Sequence, residues 1–338
     1  MQHSRLGRTA LKVSRLCLGT LNFGVRTSKE DAFRLMDEAL DRRINFFDTA
    51  DHYGWQVYRG LTEELIGEWF AGGGGRREKV VLGTKVFSPM SDWPNDGGLS
   101  ARHIVAACED SLRRLRTDWI DLYQMHHVDR SAPWEEVWGA METLVQQGKI
   151  RYVGSSNFGG WHLAAAQEAA HDRRFLGLVS EQCVYNLVTR HVEVDLIPAA
   201  LAYGIGVFAW SPLHGGLLGG ALRKLGDGTA VKTAQGRAKV ALDAHRRAIA
   251  LYEDDCADLR LDPAEVAMAW VLSQPGVTGI VIGPRTMEHL DGAERALALA
   301  LDDDLLARLD TLFPPLDTGG APDTGGAPDT GGVPPEGR

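Results

Sequence analysis

The chain has 338 residues, 44% hydrophobic and 24% charged, an ordinary globular balance that an α/β barrel of this length fills as one domain. A formal net charge of −9 offers no basic face to a nucleic-acid partner and fits a solvated surface. The polar start Met1–Gly7 lacks the apolar core of a signal peptide, and no apolar run reaches membrane-span length, so the expected compartment is the cytoplasm and no membrane partner is expected.

Strand-like and helix-like segments then alternate. Eight short apolar runs bounded by turn residues read as strands: Arg15–Gly19, Asn45–Ala50, Val80–Val86, Trp119–His126, Arg151–Ser156, Leu178–Tyr185, Val207–Pro212 and Gly279–Gly283. Ser28 followed by Asp31 resembles a capping box ahead of an apolar face of Ala32, Phe33, Leu35, Met36, Ala39 and Leu40. Gly72–Gly75, followed by Arg76 and Arg77, lacks the Lys-Ser/Thr ending of a phosphate loop and reads as a helix exit. Asp262-Pro263-Ala264-Glu265 is a stronger helix start, with an N-cap carboxylate, proline at the first helical position and glutamate at N3. The fold class is therefore α/β. An eight-stranded parallel (β/α)8 TIM barrel over residues 1–313 is expected, although a doubly wound open sheet shares the same alternation.

Two segments break the rhythm. Leu213–Gly236 is glycine-rich and long for a βα connection, which suits either a mobile lid or an ordered surface loop. Asp317–Gly332 repeats Asp-Thr-Gly-Gly, so 314–338 reads as a disordered tail. Cys17, Cys108, Cys183 and Cys256 form no CxxC pair and read as reduced, structural thiols.

Polar residues at the strand ends supply the candidate chemistry, because a barrel of this kind carries its site where strands end and βα loops begin. The second strand run ends in Asp48 and its loop carries Tyr53; the third ends in Lys85 and the fourth in His126. Alternation places Phe46 with Asp48, Val81 and Gly83 with Lys85, and Leu122 and Gln124 with His126. A tyrosine titrates near ~10 when free, too high for efficient acid–base work at neutral pH. A lysine beside it is expected to lower that value, an aspartate to hold the lysine, and a histidine to orient a substrate carbonyl. Taken singly, an Asp–Lys pair inside a barrel is more often a buried ion pair than catalytic machinery, and a strand-end histidine is usually a satisfied core residue.

At these residues the chain resembles the aldo-keto reductases. Phe46-Phe47-Asp48-Thr49-Ala50-Asp51-His52-Tyr53-Gly54 is similar to their first signature, Gly83-Thr84-Lys85 to their lysine strand, and Asp121-Leu122-Tyr123-Gln124-Met125-His126 to their histidine strand. The likeness continues through Gly154-Ser155-Ser156-Asn157-Phe158, Glu181-Gln182, Trp210-Ser211-Pro212-Leu213 and Ile282-Gly283-Pro284-Arg285, and spans Leu6 to about Phe313. It implies a catalytic tetrad of Asp48, Tyr53, Lys85 and His126. It implies NADPH, with NADH as the alternative, held by Gly19, Thr20, Asp48, Ser156, Asn157, Gln182, Trp210, Ser211, Pro212, Leu213, Gly283 and Arg285. Within that set, Ser156, Asn157 and Gln182 would hold the nicotinamide carboxamide, Trp210 would stack on its ring, and Arg285 would meet the 2′-phosphate. Where many relatives carry glutamate and asparagine to hold the adenine, His289-Leu290-Asp291-Gly292-Ala293 places glycine and alanine. Phe23, Trp55 and Trp93 are expected to line an apolar substrate pocket.

The implied activity is reversible hydride transfer between NADPH and an aldehyde or ketone. Two alternatives stand beside it. One is a cofactor-binding partner protein like the potassium-channel β subunits. The other is a metal-dependent barrel hydrolase using Asp48, His126, His127 and a modified Lys85. Strand one lacks the His-x-His pair that such hydrolases show, so no metal is expected. His127 is expected on the strand face opposite His126. Neither the substrate nor the choice between monomer and homo-oligomer is legible in the sequence.

Overall fold

The N-terminal residues form an element outside the expected set, an antiparallel hairpin of β1 (His3–Arg5) and β2 (Lys12–Ser14). A computed structural model describes residues 1–226 and 236–316; the expected tail 314–338 from residue 317 onward, and positions 227–235 of the glycine-rich segment, lie outside the described residues. The eight expected strands follow as β3 (Leu16–Gly19), β4 (Phe46–Asp48), β5 (Val81–Val86), β6 (Ile120–Met125), β7 (Ile150–Ser156), β8 (Leu178–Val184), β9 (Gly206–Trp210) and β10 (Val277–Ile282). They pair in parallel in the order β10-β3-β4-β5-β6-β7-β8-β9 and close. Closure rests on β10, which pairs Ile280 with Leu16 on one side and with Ala209 on the other. An open doubly wound sheet is thereby excluded. The fold is a TIM barrel.

Helices α1 (Lys29–Asp41), α2 (Leu61–Ala71), α3 (Arg76–Lys79), α4 (Ala101–Leu115), α5 (Trp134–Gln146), α6 (Gly160–Asp172) and α7 (Leu196–Tyr203) surround the first seven strands. After β9 come α8 (Ala221–Gly226), α9 (Gly236–Asp258) and α10 (Pro263–Ser273), and after β10 come α11 (Met287–Ala298) and α12 (Asp303–Leu312). Two expected starts have the local chemistry read for them. Ser28 accepts the Asp31 N–H at the head of α1, and Asp262 accepts those of Ala264 and Glu265 at the head of α10. Gly72–Gly75 is a helix exit, with three left-handed glycines between α2 and α3. The glycine-rich segment is partly helical, since α8 lies within it.

Apolar residues divide into two layers. The larger lies between the outer strand faces and the helices, and all four cysteines are free and buried. The smaller fills the lower barrel with Cys17, Phe46, Val81, Leu122, Val179 and Phe208, closed from below by Leu6 and Val13 of the hairpin. Gly279 is required where these layers converge. A Cβ there would lie 2.3 Å from the Arg15 carbonyl oxygen and 2.7 Å from the Phe208 ring. The plugged lower end leaves the C-terminal strand ends as the polar mouth.

Candidate active site

Alternation along β4, β5 and β6 brings three charged or polar side chains to one depth. Lys85 is opposite Gln124 in the β5–β6 register, and Asp48 is opposite Gly83, whose missing side chain leaves room beside it. Lys85 is fully buried, and its ammonium donates to Asp48 Oδ2 at 2.5 Å, to the Thr49 carbonyl at 2.8 Å and to Tyr53 Oη at 3.3 Å. Three donors meet three acceptors. Asp48 Oδ1 accepts two amides, Gln124 Nε2 at 2.9 Å and Gln182 Nε2 at 3.0 Å. Thr20 holds the strand end from the neighbouring side, its backbone and hydroxyl both donating to the Asp48 carbonyl.

The charges on this cluster differ from the sequence expectation at one point. Burial pushes the Tyr53 hydroxyl above its ordinary value; Lys85 pulls it down, and Asp48 pushes it further up. The net direction is upward, where a lowered value was expected. Burial exceeds the single lysine, and Asp48 neutralises part of that lysine's field. Burial alone would lower Lys85, but Asp48 and Tyr53 outweigh it and hold the ammonium charged. Burial, then Lys85, His52 and His127, drive His126 far below the ordinary imidazole value, so it is neutral. The cluster thus holds a protonated phenol, a charged lysine and a neutral imidazole.

The other expected positions form a rim around this cluster. Ser156 Oγ donates to the Gln182 carbonyl at 2.7 Å, while Asn157 Nδ2 donates to the His126 carbonyl and to Ser156 Oγ, both at 3.0 Å. Trp210 Nε1 closes the ring by donating to Asn157 Oδ1 at 3.1 Å. Asn157, Ser211 and His214 all have left-handed backbones, at φ 60, 57 and 46. Such residues concentrate at functional sites because their strain needs a surrounding structure to hold it. Pro212 is buried and Leu213 half-buried in the same turn. Gly19 packs where a Cβ would meet Val281 at 2.7 Å, and the Gly283 carbonyl accepts Asn22 Nδ2 at 3.3 Å. Arg285 is exposed just before α11, whose cap Thr286 accepts the His289 N–H.

Residues 15–313 match the model of the aldo/keto reductase family. The chain belongs to the aldo-keto reductase family. It is 54% identical over 319 residues to the uncharacterized oxidoreductase YrpG of Bacillus subtilis, covering 93% of this chain and 96% of that one. It is 33% identical over 290 residues to a probable voltage-gated potassium channel subunit beta of Oryza sativa, covering 84% and 87%. It is also 30% identical over 345 residues to versiconal hemiacetal acetate reductase of Aspergillus parasiticus, covering 93% and 98%. The chain is an oxidoreductase of this family, whose members use a nicotinamide dinucleotide.

On the substrate side of this family member, the three expected pocket aromatics separate. Trp55 is half exposed, and its ring approaches those of His52 and Tyr53 with centroids 5.3 and 6.4 Å away. Phe23 is a correction: it is fully buried in the layer between barrel and helices and offers no surface to a substrate. Trp93 is 78% exposed in its loop. His127 is a second correction. Its ring stacks on that of His126, 5.3 Å away and 9° from parallel, because the chain has left β6 at Met125 and alternation no longer applies. His52, unassigned in the sequence reading, packs against both Tyr53 and His126 with centroids 5.2 and 5.0 Å away. Its place inside the first signature was the available signal. Gln124, two residues before His126 on the same face, is a further site residue that alternation alone indicates. Among the described residues no three His, Cys, Asp or Glu side chains converge on a point that could hold a metal ion. No helix among them is long and apolar enough to cross a membrane.

Proposed function

We propose that this family member reduces aldehydes or ketones with NADPH, Tyr53 giving the proton to the developing alkoxide. The observation carrying the reading is the buried ammonium of Lys85, which bridges Asp48 and the Tyr53 hydroxyl at the open end of the barrel. A structural ion pair needs no phenol as its third partner. Tyr53 stands protonated, as a donor must, and Lys85 is placed to stabilise the phenolate left behind. Asp48 fixes the lysine, and Gln124 fixes Asp48. Neutral His126, whose buried Nδ1 has no partner among the described residues, suits a hydrogen bond to the carbonyl better than proton donation.

The residues present fit a nicotinamide dinucleotide. Ser156, Asn157 and Gln182 bring amides and a hydroxyl to one side of the mouth, with the Trp210 indole beside them. Arg285 makes no ion pair among the described residues and stands at a helix N-terminus, which suits a phosphate. When bound, the cofactor supplies the hydride. Titrating NADPH and NADH separately against tryptophan fluorescence tests this assignment. Saturable quenching, tighter for NADPH, is expected; no quenching with either removes the reading. A cofactor-bound partner protein is the second reading, favoured by the rice relative. Tight cofactor binding without turnover of any carbonyl would select it.

A further inference from the structure

Glu181 precedes Gln182 on β8 and faces the other side of the strand, between barrel and helices, where it is fully buried. Its Oε2 accepts the Ser155 hydroxyl, and its Oε1 accepts the Phe158 N–H at 3.1 Å. These contacts flank Ser156 and Asn157. From the other side the Gln182 carbonyl takes Ser156 Oγ at 2.7 Å and the Asn157 N–H at 3.1 Å. The Glu181-Gln182 pair therefore grips the Ser155–Phe158 turn at both ends while Asn157 is held left-handed at φ 60. Asparagine tolerates this left-handed conformation better than most residues, and the contacts from Glu181 and Gln182 hold the turn in it.

Among the described residues no positive charge pairs with this carboxyl. On its own strand, the Cys183 thiol is pushed well up by burial and is neutral. From α6, His162 packs on Phe158 with its imidazole lowered, chiefly by burial, and thus uncharged. From the loop before α7, Asp195 accepts the Gly160 N–H at 3.0 Å. Across the strand, Asp48 is bound to Gln182. Burial pushes the Glu181 carboxyl up to about 8 against the pull of its hydrogen bonds from Ser155, Phe158 and Asn157. In the neutral form its proton has a place: Ser155 Oγ accepts it and turns its own hydrogen to the Ser180 carbonyl, 3.4 Å away.

We propose that Glu181 is a positioning residue for the turn that receives the nicotinamide carboxamide, and that NADPH binds preferentially while Glu181 is neutral. The proposal rests on the cofactor reading. The cofactor carries several negative phosphates, and held by Ser156, Asn157 and Gln182 its nicotinamide end would cover the turn. Both raise the cost of an ionised, uncompensated carboxylate behind that turn. Binding above the break is therefore coupled to uptake of one proton.

Equilibrium titration of the full chain with NADPH, read by tryptophan quenching across a pH series, tests this. For one proton with a break near 8, the wild-type Kd is expected to rise roughly tenfold between about pH 7 and about pH 9. The Glu181→Gln variant keeps an acceptor for Phe158 and cannot ionise, so its Kd should lack that rise. Ser155→Ala removes a hydrogen bond that favours the ionised form and should move the break to higher pH, which keeps the test available if the glutamine variant does not fold. A wild-type Kd flat across the series, or the same slope in wild type and Glu181→Gln, overturns the inference while leaving the cofactor site standing. Absence of quenching at every pH overturns the cofactor reading and this inference with it.

Discussion

Asp48 meets three donors with two oxygens, and every one of those donors is a side chain from another strand. Its lysine partner is fully enclosed, so the pair is coupled to folding as well as to chemistry. Replacing Lys85 with Met leaves a buried carboxylate facing two amides and no charge. The expected loss of stability is about 3–5 kcal/mol, the range for stranding one member of a buried pair. Urea unfolding at neutral pH measures it; a loss below about 1 kcal/mol would mean that the pair is effectively solvated. The same residues show what the sequence could and could not reveal. Asp48, Lys85 and His126 were legible because alternation and strand ends locate them. The direction of the Tyr53 shift was not, since it depends on how deeply the phenol is buried against how close the lysine lies, and both are tertiary quantities. Phe23 was misplaced for a related reason: a loop aromatic near the mouth can turn inward, and only packing decides.

Elements locate the site through their packing. Gly67 of α2 lies against the end of α4, where a Cβ would come within 2.1 Å of the Arg114 carbonyl oxygen. Alanine favours a helix more than glycine does, by roughly 1 kcal/mol. The clash with backbone that cannot yield should exceed this, so Gly67→Ala is expected to destabilise by about 1–3 kcal/mol. A raised urea midpoint would show that α2 and α4 are free to separate. The consequence reaches the mouth, because Arg114 binds Glu63, and Glu63 accepts the hydroxyl of Thr84, the neighbour of Lys85. The eight strands were readable in order, with ends within two residues or so, because barrel strands are short apolar runs with clear stops. The closed barrel was the expected fold, but alternation alone did not exclude an open sheet, since closure depends on Ile280 meeting Leu16 from opposite ends of the chain. The hairpin was not legible because His3, Ser4 and Arg5 are polar, and its apolar contribution to the barrel is limited to buried Leu6 and Val13 with Leu11 packed beside them.

At the scale of the whole molecule, the two ends of the barrel have opposite characters. Leu6, Val13, Phe46 and Phe208 fill the lower end, whereas the upper end gathers Asp48, Tyr53, Lys85, Gln124, His126 and Gln182 from four strands and their loops. This polarity is what an enzyme barrel and a cofactor-bound partner protein share, so the fold alone does not divide them. Turnover does. The most direct test compares wild type with Tyr53→Phe, following NADPH oxidation in the presence of a panel of aldehydes and ketones, with cofactor binding checked by tryptophan quenching. The account predicts carbonyl-dependent oxidation by the wild type and at least about a hundredfold lower kcat in the variant, with NADPH binding retained. A variant that turns over at the wild-type rate, or a wild type that binds NADPH and reduces nothing, would contradict it.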